Sequence, residues 1–124
     1  MWNYAAVALG GIFGCCARYG TTQLVQMVYG KSFPIATLSI NQLGCFMMGF
    51  LFFETVERVT ISPTLRAGIL TGVLGGYTTF STFSMETLLL IDDGEYGLAM
   101  SYLLLSVVGG LSAAALGMYI ARKL

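Results

Sequence analysis

Residues 75–86 read GGYTTFSTFSME, and this stretch decides how the chain folds. Gly75 and Gly76 open it, and hydroxyl and phenyl side chains follow up to Glu86. Glycine weakens a helix, and threonine, tyrosine and phenylalanine are only modest helix formers. The stretch therefore has two interpretations. It is either a helix break at the middle of a membrane, whose freed carbonyls need partners, or a glycine-kinked packing core filled with aromatic rings.

The sequence around this stretch is apolar enough to lie in lipid. Of the 124 residues, 56% are hydrophobic and 10% are charged, whereas a soluble domain carries about 25% charged residues. A membrane-spanning helix needs about 20 residues, and four apolar stretches have that length, near 3–28, 35–56, 64–90 and 96–121. We therefore predict an all-α membrane protein, a single domain over residues 1–124 with four transmembrane helices, the third of which is either broken or kinked at Gly75–Gly76.

Residue types that most enzymes and metal sites use are scarce. The chain has no histidine, which excludes serine–histidine catalysis, histidine–metal sites and histidine proton relays. Cys15, Cys16 and Cys45 lie inside predicted spans without metal-ligand spacing, and we interpret them as small buried hydrophobic residues. The sequence contains neither a glycine-rich phosphate loop nor a basic stripe. We therefore predict that the chain is not an enzyme and does not bind nucleic acid.

Short turns separate the predicted spans and set the distribution of charge. Pro34, Pro63 and the segment 92–95 mark the three turns, since proline favours a helix start and disfavours helix before it. With four spans, both termini share a side with the second turn, and that side carries the basic residues Arg58, Arg66, Arg122 and Lys123. The other side carries Lys31, and also Arg18 if its side chain reaches that far. The positive-inside rule therefore favours termini in the cytoplasm.

Small residues recur at every fourth position of three predicted spans. The rows are Gly10 and Gly14; Gly68, Gly72 and Gly76; and Gly109, Ala113, Gly117 and Ala121. Such rows let helices approach closely in lipid, where packing drives association. They predict a tightly packed bundle and no particular activity.

Polar residues inside the spans are more informative, because each is costly without a partner or water. Arg18 either extends to the membrane interface or faces a wet vestibule or an internal partner, and the sequence favours neither. Asn41 either bonds a neighbouring helix or serves a functional site. Tyr102 and Ser106 share one face of the fourth span.

Three motifs together resemble the small fluoride-channel family called Fluc or CrcB. They are GCCARY at 14–19, TLSINQLGCF at 37–46 and, most specifically, GVLGGYTTFSTFSME at 72–86. The resemblance covers the whole chain in length, number of spans and order of motifs. It implies an antiparallel, dual-topology homodimer in the bacterial inner membrane, with two fluoride pathways along the subunit interface. The implied activity is passive, fluoride-selective export from the cytoplasm, which gives fluoride resistance.

The resemblance also assigns roles to particular residues. The third helix would be broken, and its backbone carbonyls matching Gly75 and Thr78 would hold a structural sodium ion between the subunits. The residues implied for the anion pathway are Asn41, Phe80 and Phe83, with Thr79, Ser81, Thr82, Tyr102 and Ser106 as further polar lining and Arg18 near the vestibule. These residue types suit a small, strongly hydrated anion, since amide and hydroxyl groups donate hydrogen bonds and phenyl edges carry partial positive charge.

Two other functions stay open at this point. A small multidrug antiporter also has about four short spans, but it needs a membrane-embedded acid, for which Glu86 is the only deep candidate. A non-transporting assembly subunit would need only the small-residue faces.

Overall fold

The computed structural model describes residues 1–58 and 60–124, and within those ranges it contains helices and no strand. Helix α1 spans Trp2–Tyr29, and α2 spans Ile35–Phe53 and continues as a π-helical turn, Glu54–Arg58. The third helical segment is composite: α3 is Pro63–Ala67, a π-helical stretch covers Gly68–Leu74, and α4 is Gly75–Tyr77. Helices α5, Phe80–Asp92, and α6, Tyr96–Lys123, complete the bundle.

Each turn follows a local sequence signal. Helix α2 begins directly after Pro34. Ser62 caps α3, because its hydroxyl accepts a hydrogen bond from the amide of Leu65, and Pro63 occupies the first helical position. Gly94 has φ +78° in the turn between α5 and α6, a conformation that glycine adopts without steric cost.

Among the described residues, two helices are long and apolar enough to cross a membrane by length and composition, Ile35–Arg58 and Tyr96–Lys123. These two helices also form the most extensive contact in the bundle. Their backbones approach closely at glycines: a methyl group added at Gly49 would collide with the carbonyl of Ala114, and one at Gly117 with the carbonyl of Phe46. Close approach of this kind is the geometry that small residues permit.

Helix α1 packs in the same way against the third helical segment. A methyl group added at Gly14 would collide with the carbonyl of Val73, and one at Gly76 would lie 2.9 Å from the carbonyl of Gly11. The close packing predicted from the glycine rows is therefore present on both sides of the bundle. It places Gly76, and the residues that follow it, against the middle of α1.

The outer surface of the bundle is strongly apolar. Large exposed side chains occur on α1, α5 and α6, among them Leu9, Ile12, Phe13, Leu88, Leu104 and Leu111. A single water-soluble domain rarely exposes so much contiguous apolar surface. This surface is typical of a protein that lies in lipid or against a partner.

Candidate functional site at the turn between α4 and α5

The candidate site is built around two extended residues. Helix α4 ends at Tyr77, and Thr78 has φ −80° and ψ 158°. Thr79 has φ −151° and ψ 114°, and α5 begins at Phe80. The chain is therefore extended for two residues between helices that meet end to end. Extended residues expose backbone groups that a continuous helix would bond internally.

Asn41 on α2 binds the main chain of Thr79 with both ends of its amide. Asn41 Nδ2 donates to the Thr79 carbonyl at 3.0 Å, and Asn41 Oδ1 accepts from the Thr79 amide at 2.8 Å. The side chain thus pairs with the extended residue much as a neighbouring strand would. Because Nδ2 carries two hydrogens, one N–H of Asn41 remains for another acceptor.

The two carbonyls matched to a sodium ion share an unusual arrangement. In an α-helix, a carbonyl accepts from the amide four residues later. The amide four residues after Gly75 is that of Thr79, which donates to Asn41 Oδ1. The amide four residues after Thr78 is that of Thr82, which donates to Thr79 Oγ1 at 3.2 Å. At both positions a side-chain oxygen accepts from the amide that would bond the carbonyl in a continuous helix.

One side of this turn borders a cavity of about 470 Å³ that we call the aromatic cavity. Phe80 is 78% exposed and Phe83 is 8% exposed, and their ring centroids lie 5.6 Å apart. The ring of Phe83 also meets that of Tyr102 edge to face at 5.2 Å. Asn41, Thr78, Thr79 and Ser106 complete the polar part of the wall, and the rest is apolar.

The other side of the turn borders a second cavity, of about 270 Å³, that we call the hydroxyl cavity. Its wall contains four threonines and one guanidinium group: Thr22, Thr37, Thr79, Thr82 and Arg18. Arg18 Nε donates to the carbonyl of Gly76 at 3.1 Å, so the guanidinium is paired within the bundle. Of the two interpretations of Arg18, the geometry matches an internal partner.

Glu86 has a precise set of partners that the sequence did not reveal. Thr37 Oγ1 donates to Glu86 Oε1 at 2.9 Å, and the Tyr102 hydroxyl donates to Glu86 Oε2 at 2.7 Å. Tyr102 is fully buried. The only signal for this cluster was that an acid in an apolar stretch needs donors nearby. The two hydroxyls supply them from α2 and α6.

The residues predicted for the anion pathway and for the sodium site are distributed over the two cavities, the Glu86 cluster and the surface. The aromatic cavity is lined by Asn41, Thr78, Thr79, Phe80, Phe83 and Ser106. The hydroxyl cavity is lined by Arg18, Thr79 and Thr82. Ser81 is exposed and lies 3.3 Å from Thr79 Oγ1, measured between the hydroxyl oxygens. Tyr102 lines neither cavity and instead joins Glu86 to the ring of Phe83. Gly75 is exposed on the surface of the chain.

Ser106 differs from the other hydroxyl groups of the site. Its oxygen is buried, and among the described residues it has no hydrogen-bond partner. Most buried polar atoms do have one. Ser106 lines the aromatic cavity, and its hydroxyl is a buried polar group without a partner among the described residues.

Known proteins resemble this chain along nearly its whole length. Residues 5–118 match the family described as CrcB-like protein, Camphor Resistance (CrcB). The fluoride-specific ion channel FluC of Acidithiobacillus ferrooxidans is 54% identical over 121 residues, which cover 98% of this chain and 97% of that protein. Fluoride-specific ion channel FluC 1 of Moorella thermoacetica is 44% identical, covering 96% and 85%. FluC of Azotobacter vinelandii is 42% identical, covering 94% of each chain. The resemblance predicted from the motifs is confirmed, and the chain belongs to the CrcB family.

Proposed function

We propose that this chain is a fluoride channel, not an enzyme, in the inner membrane of a bacterium. The observation that carries the proposal is the 54% identity, over nearly the full length of both chains, to a relative named as a fluoride-specific ion channel. The geometry of the turn supplies chemistry that suits this function. The chain crosses the membrane four times in this proposal: α1, α2 and α6 each form one span, and α3 to α5 together form the third, with the turn at Thr78–Thr79 inside it.

The anion pathway uses groups that donate hydrogen bonds without carrying an ammonium charge. Asn41 and Ser106 both line the aromatic cavity, beside the rings of Phe80 and Phe83. Asn41 has a second N–H to donate, and the buried Ser106 hydroxyl has no partner among the described residues. Amide and hydroxyl donors replace part of the hydration shell of fluoride, and ring edges face the anion favourably. Because conduction requires sites that an ion can leave, weak donors suit this pathway better than a fixed charge.

The carbonyls of Gly75 and Thr78 fit a structural sodium ion. Hard cations bind oxygen ligands, and carbonyls at unwound helix segments coordinate sodium in transporters. Gly75 is exposed, and a methyl group added at its Cα would meet nothing nearer than the Leu70 carbonyl at 3.9 Å, so its surroundings in the single chain are open. When bound, the ion adds fixed positive charge near the anion pathway without being transported.

A second copy of the chain completes the cation site and the pathway. One chain offers two such carbonyls, whereas a hard cation takes more oxygen ligands than that. A two-fold axis through the site doubles the number. We propose an antiparallel dimer, with this axis in the membrane plane and two pores along the subunit interface. The exposed ring of Phe80 and the exposed Gly75 lie on the surface that this dimer would cover.

The physiological role that follows is passive export and fluoride resistance. Hydrogen fluoride is a weak acid that enters cells as a neutral molecule in acid surroundings and dissociates inside. The anion then leaves through the channel down its gradient. The rival functions make different predictions: an antiporter would couple dye uptake to protons, and an assembly subunit would carry no ion.

The decisive experiment measures anion efflux from liposomes that contain the purified protein. Liposomes loaded with fluoride should release it rapidly, and liposomes loaded with chloride should release little. Ion-selective electrodes measure the release of each anion. Protein-free liposomes and liposomes with Gln42→Ala protein serve as controls, since Gln42 bonds the Leu105 carbonyl away from both cavities. Equal release of fluoride and chloride, or no release of either, would reject the proposal.

The orientation of the subunits has its own test. Single cysteines at Lys31 and Lys123, in a protein without its native cysteines, are exposed to an impermeant thiol reagent in intact cells. An antiparallel dimer requires both orientations, so each position should label in part of the population. The four basic residues on the side of the termini favour a single orientation. The labelling result therefore decides between the charge distribution and the antiparallel dimer. Labelling at only one position would exclude the antiparallel homodimer.

A further inference from the structure

The two hydrogen bonds between Asn41 and Thr79 connect the cation site with the anion pathway. Asn41 Oδ1 binds the amide that would otherwise bond the Gly75 carbonyl. Asn41 also lines the aromatic cavity, where one of its N–H groups has no bond to Thr79. The same planar amide therefore holds the Thr79 amide beside the proposed cation site and also lines the aromatic cavity.

We propose that Asn41 is a positioning residue for the sodium site, and that it couples this site to the anion pathway. By holding the Thr79 amide, Asn41 keeps the Gly75 carbonyl available to a cation. Thr79 does the same for the neighbouring carbonyl, because its hydroxyl holds the Thr82 amide four residues after Thr78. This inference rests on the proposed sodium site, and it assigns to Asn41 a task separate from contact with the anion.

The coupling follows from the rigidity of the amide. Oδ1 and Nδ2 are fixed in one plane, and both bond the same extended residue, at 2.8 Å and 3.0 Å. These two bonds fix the plane of the amide, and with it the direction of the remaining N–H. A cation that stabilises the extended conformation of Thr79 therefore also stabilises the donor that faces the anion. Without the extended turn, the amide would lose both of its partners and its orientation.

The test compares three variants by two readouts. Asn41→Asp keeps an acceptor for the Thr79 amide but has no N–H for an anion. Asn41→Ala keeps neither group, and Asn41→Leu removes both while filling the same volume. Gln42→Ala is the matched control, because the Gln42 amide also bonds a backbone carbonyl, that of Leu105 at 2.8 Å, without touching the turn.

The first readout is the melting temperature of the purified protein in detergent, as sodium chloride replaces N-methylglucamine chloride at constant ionic strength. The second readout is fluoride efflux from liposomes. We expect Asn41→Asp to keep the sodium-dependent rise in melting temperature and to lose efflux. Asn41→Ala and Asn41→Leu should lose efflux and need about tenfold more sodium for half of the rise, because the ion must then displace a restored backbone hydrogen bond.

A purely structural role would lower the melting temperature equally in both salts and leave the sodium concentration for half of the rise unchanged. That result in Asn41→Ala or in Asn41→Leu, whichever of the two folds, would overturn the inference while leaving the sodium site intact. A wild-type protein whose melting temperature does not respond to sodium would instead overturn the sodium site itself, and the inference with it. Efflux of fluoride by that same wild-type protein would show that the channel function stands without it.

Discussion

The aromatic cavity and the hydroxyl cavity share one lining residue, Thr79, yet they present opposite chemistry. Thr79 lines both cavities, and Asn41, which lines the aromatic cavity, bonds the main chain of Thr79. On one side the wall is mostly apolar, with two phenyl rings and one free hydroxyl. On the other side four threonines surround a guanidinium group. Under the proposed function, a small anion leaves a polar, electropositive space and enters one where weak donors and ring edges accompany it.

The two cavities also differ in how their polar groups are engaged. Arg18 on the hydroxyl side donates to a backbone carbonyl, and Thr79 and Thr82 bond each other at 2.9 Å. On the aromatic side, the Ser106 hydroxyl and one N–H of Asn41 have no such bond. The Arg18, Thr79 and Thr82 side chains of the hydroxyl cavity are therefore bonded to one another or to the backbone, while the aromatic cavity has donors without a bond. Loss of a bonded group should therefore lower stability, whereas loss of a donor without a bond should affect transport without lowering stability.

The largest expected effect comes from the rings of the aromatic cavity. Replacing Phe80 or Phe83 by isoleucine keeps an apolar side chain but removes the ring quadrupole. We expect fluoride efflux from liposomes to fall more than about tenfold in each variant, since two adjacent rings give the anion its only ring edges here. Phe83→Ile should also lower the unfolding free energy by about 1–3 kcal/mol, because its ring is buried against Tyr102.

Phe80→Ile is the cleaner of the two variants. Its ring is 78% exposed in the single chain, so its loss leaves the fold of one subunit unaffected. Melting temperature in detergent separates a transport defect from a folding defect. Near-normal efflux in both single variants would mean that the rings are packing residues and that the anion does not pass them.

A smaller effect on transport is expected from Arg18 on the hydroxyl side. Arg18→Gln removes the charge and the Nε bond to the Gly76 carbonyl, and hydrogen bonds to charged groups contribute about 1.5–3 kcal/mol. Efflux should fall several-fold, about three- to tenfold, because a partly screened charge attracts anions less than direct contact does. Lys31→Gln is the matched control, since it removes one positive charge outside both cavities. Equal losses in Arg18→Gln and Lys31→Gln would show that the cavity gives Arg18 no special role.

Tyr102 should contribute more to stability than to transport. Tyr102→Phe keeps the ring against Phe83 but removes the hydroxyl that donates to Glu86 at 2.7 Å. Leaving the carboxylate with one donor fewer should lower the unfolding free energy by about 1–3 kcal/mol. Chemical denaturation in detergent measures that loss, and Tyr96→Phe, on the exposed start of α6, is the control. An unchanged unfolding free energy would mean that water replaces the lost donor.

Local signals in the sequence predict the ends of the helices but not the pairing within the site. Pro34, Pro63 and Gly94 mark turns because each restricts or frees its own backbone. Asn41 and Thr79 are 38 positions apart, and the bonds between them depend on how α2 is placed against the turn. Nothing near either residue in the sequence specifies that placement.

Local sequence signals likewise do not predict the partners of Glu86 or the π-helical geometry of the third span. Glu86 was recognisable as an acid that needs donors, but its partners come from α2 and α6, at separations of 49 and 16 residues. The π-helical stretch Gly68–Leu74 also has no local signature beyond its glycines. It lies where backbone contact with α1 is closest, so helix packing rather than intrinsic propensity accounts for it. The residue types of the site were therefore predictable, whereas their partners were set by the fold.

The smallest expected effect concerns the free hydroxyl of the aromatic cavity. Ser106→Ala removes a buried group that has no partner among the described residues, so unfolding free energy should stay the same or rise by up to about 1 kcal/mol. If the hydroxyl serves the passing anion, efflux should nevertheless fall about two- to threefold, which corresponds to losing part of one weak hydrogen bond. Ser101→Ala is the matched control, because the Ser101 hydroxyl lies on the same helix, is exposed and already bonds the Gly97 carbonyl at 2.8 Å. A lower efflux with unchanged or higher stability in Ser106→Ala alone would separate transport from packing on this side of the turn. Lower stability without a change in efflux would reverse the assignment, since it would show that Ser106 holds a structural water rather than a place for fluoride.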